Sequence, residues 1–328
     1  MRILIVKLSS LGDVVHTLPV VHDILTAMPD AQIDWVVEKA FAPLLTQVKG
    51  INRVIPCEVR RWRKSFWSTQ TRQEWRAFKA DLQTHRYDAV IDAQGLTKSA
   101  VVARLATLCT QGKRYAMANQ TDGSAYEAPT RWLADVAIAI QPHINAVARA
   151  RQLAATALGY SVKNTANYGL KKPAAQLIKA RAAPKTVAFI HGTSRQDKTW
   201  LLTHWVELGQ RLVASGYHIM LVHGSAAELA TSQAIAAQLG GNDIVLPVLS
   251  LSDLTQQLAQ CVGAIGVDSG VSHIAMALGL PHVQIYNFDT AWRTGPLASA
   301  HQVSVFAVGS PSVDAVWQAW STCEGAAA

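Results

Sequence analysis

The chain has 328 residues, half of them hydrophobic, and carries a formal net charge of +8. That length exceeds what one core usually supports, so two domains of roughly 150 residues each are expected, with ample apolar side chains for both. No apolar run reaches the ~18 residues of a membrane span and Met1 to Lys7 is too short and too soon interrupted by charge for a signal peptide, which makes a cytosolic protein the expectation; Cys57, Cys109, Cys261 and Cys323 lack paired spacing and indicate neither a disulfide framework nor a zinc knuckle.

Along the chain, Ile3 to Val6, Ile33 to Val37, Arg53 to Ile55 and Ala89 to Asp92 read as strands. Val14 to Ala27, Phe41 to Val48, Gln73 to Thr84 and Lys98 to Leu108 have helical length and spacing. This alternation predicts an α/β domain whose parallel sheet is covered on both faces. Within it, Arg60-Arg61-Trp62-Arg63-Lys64 is the densest basic cluster, followed by Phe66, Trp67 and Trp75. It reads as a solvated helix start with packing aromatics, and equally as a patch that rests on an anionic membrane surface. The net positive charge agrees with an anionic partner without choosing among nucleic acid, anionic lipid and a phosphorylated substrate.

Tyr115 to Arg131 is irregular and is expected to be a loop. Asn145 to Leu158 reads as a helix stopped by Gly159, and the polar, lysine-containing stretch from Ser161 to Pro184 as a linker. Alternation then resumes with strands Thr186 to Ile190, His218 to Val222, Ile244 to Pro247, Gly263 to Val267 and His282 to Tyr286. Helices Trp205 to Ser215, Ala226 to Leu239, Ser252 to Cys261 and Val271 to Leu278 lie between them. The last helix, Val313 to Trp320, has too little chain after it to build another layer and is expected to cross back to the first domain. The predicted domains are 1–165, 166–310 and this returning segment, 311–328.

No Gly-x-Gly-x-x-Gly follows the first strand and no Gly-x-x-x-x-Gly-Lys-Ser/Thr occurs, which disfavours an ordinary dehydrogenase or NTPase. Ligands of open α/β sheets sit beyond the carboxyl ends of the strands, so the turns after each strand are where chemistry belongs. After the first strand of the second domain, Thr193, Ser194 and Lys198 offer hydroxyls and a cation to a diphosphate, or simply cap the next helix. Glu228 stands where a carboxylate takes both ribose hydroxyls, or acts as a helix-dipole partner. The Leu249 backbone is placed to edge an adenine. Asp268-Ser269-Gly270 is the stronger signal, because the Ser269 and Gly270 amides open a helix whose dipole favours phosphate; His273 adds a donor there or is a paired core histidine. Asp13, after Gly12 at the first helix start, is either a dipole-favoured carboxylate or a base for an attacking hydroxyl.

The blocks Lys7-Leu8-Ser9-Ser10-Leu11-Gly12-Asp13, Arg60 to Lys64, Asp88 to Ser99, Asp197-Lys198 and Asp268 to His273 together resemble the lipopolysaccharide heptosyltransferases over nearly the whole chain. The second and third of these blocks favour the enzyme that adds the first heptose over the one that adds the second. The resemblance implies a GT-B fold of two Rossmann-like domains facing across a cleft, with ADP-L-glycero-β-D-manno-heptose as donor, Kdo2-lipid A as acceptor and inversion at the transferred sugar. It gives the base role to Asp13 and the support of the leaving group to Lys198. Donor contacts fall to Thr193, Ser194, Lys198, Glu228, Leu249, Asp268, Ser269, Gly270 and His273; acceptor contacts fall to Ser10, Gly12, Arg60, Arg61, Arg63 and Lys64. It implies no cofactor, no metal and no nucleic acid, and a peripheral position on the cytoplasmic face of the inner membrane.

Three positions depart from that pattern. Asn145 stands where histidine is usual, Asn287-Phe288-Asp289 lacks the usual glycine and proline after the last predicted strand, and Ser194 and Ser269 replace threonines. The alternatives to the resemblance are transfer to heptosyl-Kdo2-lipid A and a non-catalytic nucleotide-binding module.

Overall fold

The computed structural model describes residues 1–162, 165–170, 185–297 and 299–327. They fall into two compact units, Met1–Leu170 and Lys171–Ala328. Most of the linker expected from Ser161 to Pro184 lies outside the described residues.

In the first unit the strands are β1 (Arg2–Val6), β2 (Gln32–Glu38), β3 (Ile51–Cys57), β4 (Arg86–Asp92), β5 (Thr107–Met117) and β6 (Val136–Ile138). Their order is β3-β2-β1-β4-β5-β6 and every pairing is parallel. Ile3, Leu4, Ile5 and Val6 are all fully buried, as a central parallel strand covered on both faces requires. The direction of winding reverses between β1 and β4, and this switch point is where an open α/β sheet presents its ligand crevice.

Two expectations change here. The helix foreseen over Val14 to Ala27 is two, Leu11–Thr17 and Pro19–Ala27, because Pro19 has no amide to continue the first and is at ease starting the second. Tyr115 to Met117 is the inner end of β5 rather than loop. The outer part of β5 is polar, and its register against β4 shifts near Gly112, where an added Cβ would come 2.5 Å from the Tyr87 carbonyl oxygen. The Ala146–Leu158 helix packs on the two opening helices, and its Arg151 makes a bidentate bond to buried Asp23, 2.6 and 2.8 Å.

The second unit repeats the plan with β7 (Lys185–Ile190), β8 (Tyr217–Leu221), β9 (Asp243–Val245), β10 (Gly263–Val267), β11 (His282–Tyr286) and β12 (Gln302–Phe306). The order β12-β11-β10-β7-β8-β9, all parallel, is the same winding counted from the unit's own first strand, with the switch point between β7 and β10. β12 was not foreseen.

The last helix, Val313–Gly325, which was expected to return to the first domain, belongs to the second compact unit. It buries Val313, Val316, Ala319, Trp320 and Cys323 in the second unit's core with Phe189, Trp205 and Ile265. Trp320 meets Tyr217 edge-on at 5.9 Å and lies over Gly263, where any Cβ would fall 2.5 Å from the indole. A face that covers β11 and β12 this closely is spent on its own sheet.

Candidate active site

In the first unit the turn after β1 carries Ser10, Gly12 and Asp13. Ser10 caps the Leu11–Thr17 helix, and its amide and hydroxyl both donate to Asp13 Oδ2, at 3.1 and 2.9 Å. Asp13 Oδ1 faces Lys7 Nζ and the Arg149 guanidinium, each at 3.8 Å. Burial alone would raise the Asp13 pKa. The Lys7 and His16 charges and the two Ser10 bonds outweigh it and hold the carboxyl well below the usual carboxylate range. One side of this carboxylate still reaches solvent, its side chain being 36% exposed. Lys7 is itself buried and donates to the Ala93 carbonyl oxygen at 3.0 Å; that burial lowers its pKa, with the Asp13 charge opposing.

The turn after β4 closes the switch point from the other side. Lys98 reaches the Ser9 hydroxyl at 3.3 Å, and burial together with the Arg60 and Arg63 charges lowers its pKa, which places this lysine between the Asp13 turn and the basic cluster. Arg60, Arg63 and Lys64 are exposed. Arg61 is turned elsewhere, bonded to Glu58 and Glu74. The neighbouring aromatics divide: Trp62 is buried with Trp75 edge-on at 5.6 Å, while Phe66 and Trp67 are 58% and 82% exposed. A cavity of about 460 Å³ opens beside them, lined by Val59, Trp62, Phe66 and Val101, with Arg63 and Lys98 among its polar groups.

In the second unit the turns after β7 and β10 meet at that unit's switch point. Asp268 is buried; Lys198 bonds to its Oδ2, and its Oδ1 faces His273 Nε2 at 3.4 Å. Burial pushes the Asp268 pKa up, but His273 and Lys198 prevail and keep it well below the carboxylate range. Thr193 donates to the Asp268 carbonyl oxygen at 3.4 Å. Ser269 caps the Gly270–Ala277 helix by accepting the Ser272 amide at 3.4 Å, and Gly270 is the first residue of that helix. This is the arrangement of a helix N-terminus open to an anion. His273 is buried among Asp268 and Gln284, a paired histidine that orients the carboxylate. Glu228 takes the Gly224 amide at 2.7 Å and lies over Gly192, and Ser194 is exposed. Leu249 is half-buried just before Ser250, the cap of the Leu251–Leu258 helix.

Residues 75–315 match glycosyltransferase family 9 (heptosyltransferase). The chain belongs to this family. Lipopolysaccharide heptosyltransferase 1 of Pseudomonas aeruginosa is 40% identical over 302 residues, 90% of this chain and 81% of that protein. The protein of the same name from Escherichia coli K12 is 39% identical over 288 residues, 87% of this chain and 88% of the relative. Among solved structures, E. coli heptosyltransferase WaaC with ADP superposes with a TM-score of 0.86 at 35% identity, covering 97% of this chain and 98% of that one. E. coli ADP-heptose LPS heptosyltransferase II shares the fold, with a TM-score of 0.72 at 21% identity over 94% and 90% of the two chains. The two parallel sheets are thus those of a GT-B glycosyltransferase.

Several residues that surround the candidate site escaped the sequence reading. Arg149, a helix residue 136 positions after Asp13 in the numbering, gives no local signal of facing it. Lys7, Gln94 and Lys98 lay inside blocks already singled out, but only the β1–β4 pairing shows that the two blocks share one turn. The departures also find places. Asn145 caps the Ala146–Leu158 helix by accepting the Val147 amide at 2.9 Å. Asn287 donates to the Asp197 and Thr199 carbonyl oxygens, at 3.0 and 2.9 Å, and so ties the turn after β11 to the turn that holds Lys198.

Proposed function

We propose that this glycosyltransferase moves L-glycero-D-manno-heptose from ADP-heptose to Kdo2-lipid A, with inversion, in assembly of the lipopolysaccharide inner core. The observation that carries this reading is 38–40% identity to four proteins named lipopolysaccharide heptosyltransferase 1 over most of the chain. In this reading residues 1–165 serve the acceptor and 166–310 the donor.

The donor's diphosphate is received by the Ser269 and Gly270 amides and by Lys198, which Asp268 and His273 hold in place, with Thr193 and Ser194 offering hydroxyls. Glu228 takes the ribose hydroxyls and the Leu249 backbone edges the adenine. On the acceptor side Ser10 and Gly12 border the attacking hydroxyl, and Arg60, Arg63, Lys64 and Lys98 meet the anionic sugar acids and phosphates. Arg61, which the resemblance also assigns to the acceptor, is engaged with Glu58 and Glu74 and contributes by bracing the cluster.

Asp13 accepts the proton of the attacking hydroxyl. The new C–O bond forms at the anomeric carbon as the bond to the β-phosphate oxygen breaks, and the electron pair leaves with ADP. A carboxylate held this firmly ionised is a poor proton acceptor at rest. Its charge favours the cationic sugar as it develops, and the proton passes late, once bond formation has made the hydroxyl acidic.

No helix among the described residues is long and apolar enough to cross a membrane. Exposed Phe66 and Trp67 between Arg63, Lys64 and Arg72 fit a peripheral contact with the anionic cytoplasmic face of the inner membrane. The test is transfer from ADP-heptose to Kdo2-lipid A against heptosyl-Kdo2-lipid A, with the product anomer read by NMR. Transfer only to the second acceptor, or none to either, overturns the reading. Asp13→Ala is expected to abolish transfer while ADP binding stays intact.

A further inference from the structure

Asp92-Ala93-Gln94-Gly95 runs off the end of β4 at the switch point shared with the Asp13 turn, yet the chemistry above gives Gln94 no task. The last backbone bond between β1 and β4 in this region is Ala93 N–H to the Val6 carbonyl oxygen, 3.1 Å. Beyond it the Gln94 side chain continues the ladder: its Oε1 accepts the Leu8 amide at 3.1 Å and the Ser9 amide at 3.0 Å. Leu8, Ser9 and Gln94 are all buried, so two amides shielded from water depend on one side-chain oxygen. The next residue is Ser10, whose amide and hydroxyl hold Asp13 Oδ2.

Gln94 is itself anchored. Its amide donates to Asp92 Oδ1 at 3.0 Å, the Gly95 amide reaches the same oxygen at 3.4 Å, and the Ser99 hydroxyl bonds Asp92 Oδ2 at 3.0 Å. Asp92 closes β4 in register with Val6. A continuous chain of bonds therefore runs from the end of β4 through Gln94 to the segment that presents Asp13.

We propose that Gln94 is a positioning residue for Asp13. It touches no reacting atom; it fixes Leu8 and Ser9 so that Ser10 aims the carboxylate. The inference rests on the reading of Asp13 as the base, and the experiment separates the two.

Gln94→Met keeps the length of the side chain without the acceptor, Gln94→Glu keeps the acceptor, and Gln94→Asn withdraws it by one methylene as a milder variant should Met not fold. Each is assayed as the full chain with ADP-heptose and Kdo2-lipid A, alongside calorimetry with ADP. Gln94→Met and Gln94→Asn are expected to lower kcat about ten- to a hundredfold, as misplacement of a reacting group does. KM for ADP-heptose and ADP affinity stay unchanged, and Gln94→Glu restores kcat to within about threefold of the parent. Should Asp13→Ala leave any measurable rate, adding Gln94→Met lowers it no further, because the group it positions is gone. Unchanged kcat in Met and Asn variants, equal loss in the Glu variant, or a full additional loss on Asp13→Ala overturns the inference while leaving the base reading intact. Full turnover by Asp13→Ala overturns the base reading and this inference with it.

Discussion

Gly192→Ala is the sharpest test of the donor site proposed in the second unit. A Cβ at residue 192 would stand 2.6 Å from the Glu228 Cδ and 2.7 and 2.9 Å from its two oxygens. Such separations are not sustained, and the Glu228 carboxylate, at the end of a flexible chain, is what gives way. The backbone at Gly192 lies outside the left-handed region, so alanine adds no backbone strain and the melting temperature is expected to change little. What is lost is the place of the carboxylate, now fixed by the Gly224 amide at 2.7 Å. If Glu228 receives the ribose hydroxyls, displacing it forfeits a hydrogen bond to a charged group, about 1.5–3 kcal/mol, which is roughly ten- to a hundredfold in the Kd for ADP. Titration calorimetry with ADP on Gly192→Ala, Glu228→Ala and the double variant reads this directly. The two single losses should be similar and the double no worse than either, since the clash needs the carboxylate. Unaltered ADP affinity in Gly192→Ala beside a weakened Glu228→Ala refutes the steric argument; unaltered affinity in both refutes the ribose assignment.

Two further outcomes follow from polar groups and their partners. Burial pushes the pKa of Asp92 up to about 6, and pushes His191 and His282 down to about 4. The histidines fold neutral, so the stability they contribute is present above their unfolded pKa, about 6.5, and is lost as pH falls towards 4. Asp92 works the other way: it folds protonated more readily than it does unfolded, so its contribution grows as pH falls through 6 towards its unfolded value, about 3.9. Melting temperature should therefore drop from pH 7 to 4.5, and Asp92→Asn should steepen that drop by removing the opposing group; an equal or shallower slope would contradict the assignment. Asn287→Ala loses the two bonds to the Lys198 turn, together about 1–3 kcal/mol at most. It should raise KM for ADP-heptose several-fold with kcat little changed, and a normal KM would show that the tie is not needed to hold Lys198.

The alternation of short β-branched runs with helical stretches was enough to foresee two parallel-sheet domains, because a strand buried on both faces must be apolar along its length, as Ile3 to Val6 and Gly263 to Val267 are. The turns after β1, β7 and β10 were legible for a related reason: chemistry in such sheets collects at strand ends, and Asp13, Lys198, Asp268 and Ser269 stand there. Of the outer strands, β3 and β9 were legible at least in part, whereas β5, β6 and β12 were not. β5 carries Thr, Gln, Lys and Arg along an exposed stretch, and β12 is only half-buried, so neither shows the apolar signature of the centre.

What sequence alone determined was which residue types stand at the strand ends, since local pattern and turn chemistry are properties of neighbouring residues. Only the tertiary structure decided which of those ends meet. The β1–β4 pairing brings Gln94 and Lys98 to the Asp13 turn, the Ala146–Leu158 helix brings Arg149 to Asp13, and the shape of the Val313–Gly325 helix matches it to β11 and β12. Those choices depend on packing between segments tens to hundreds of residues apart, where no local pattern carries the information.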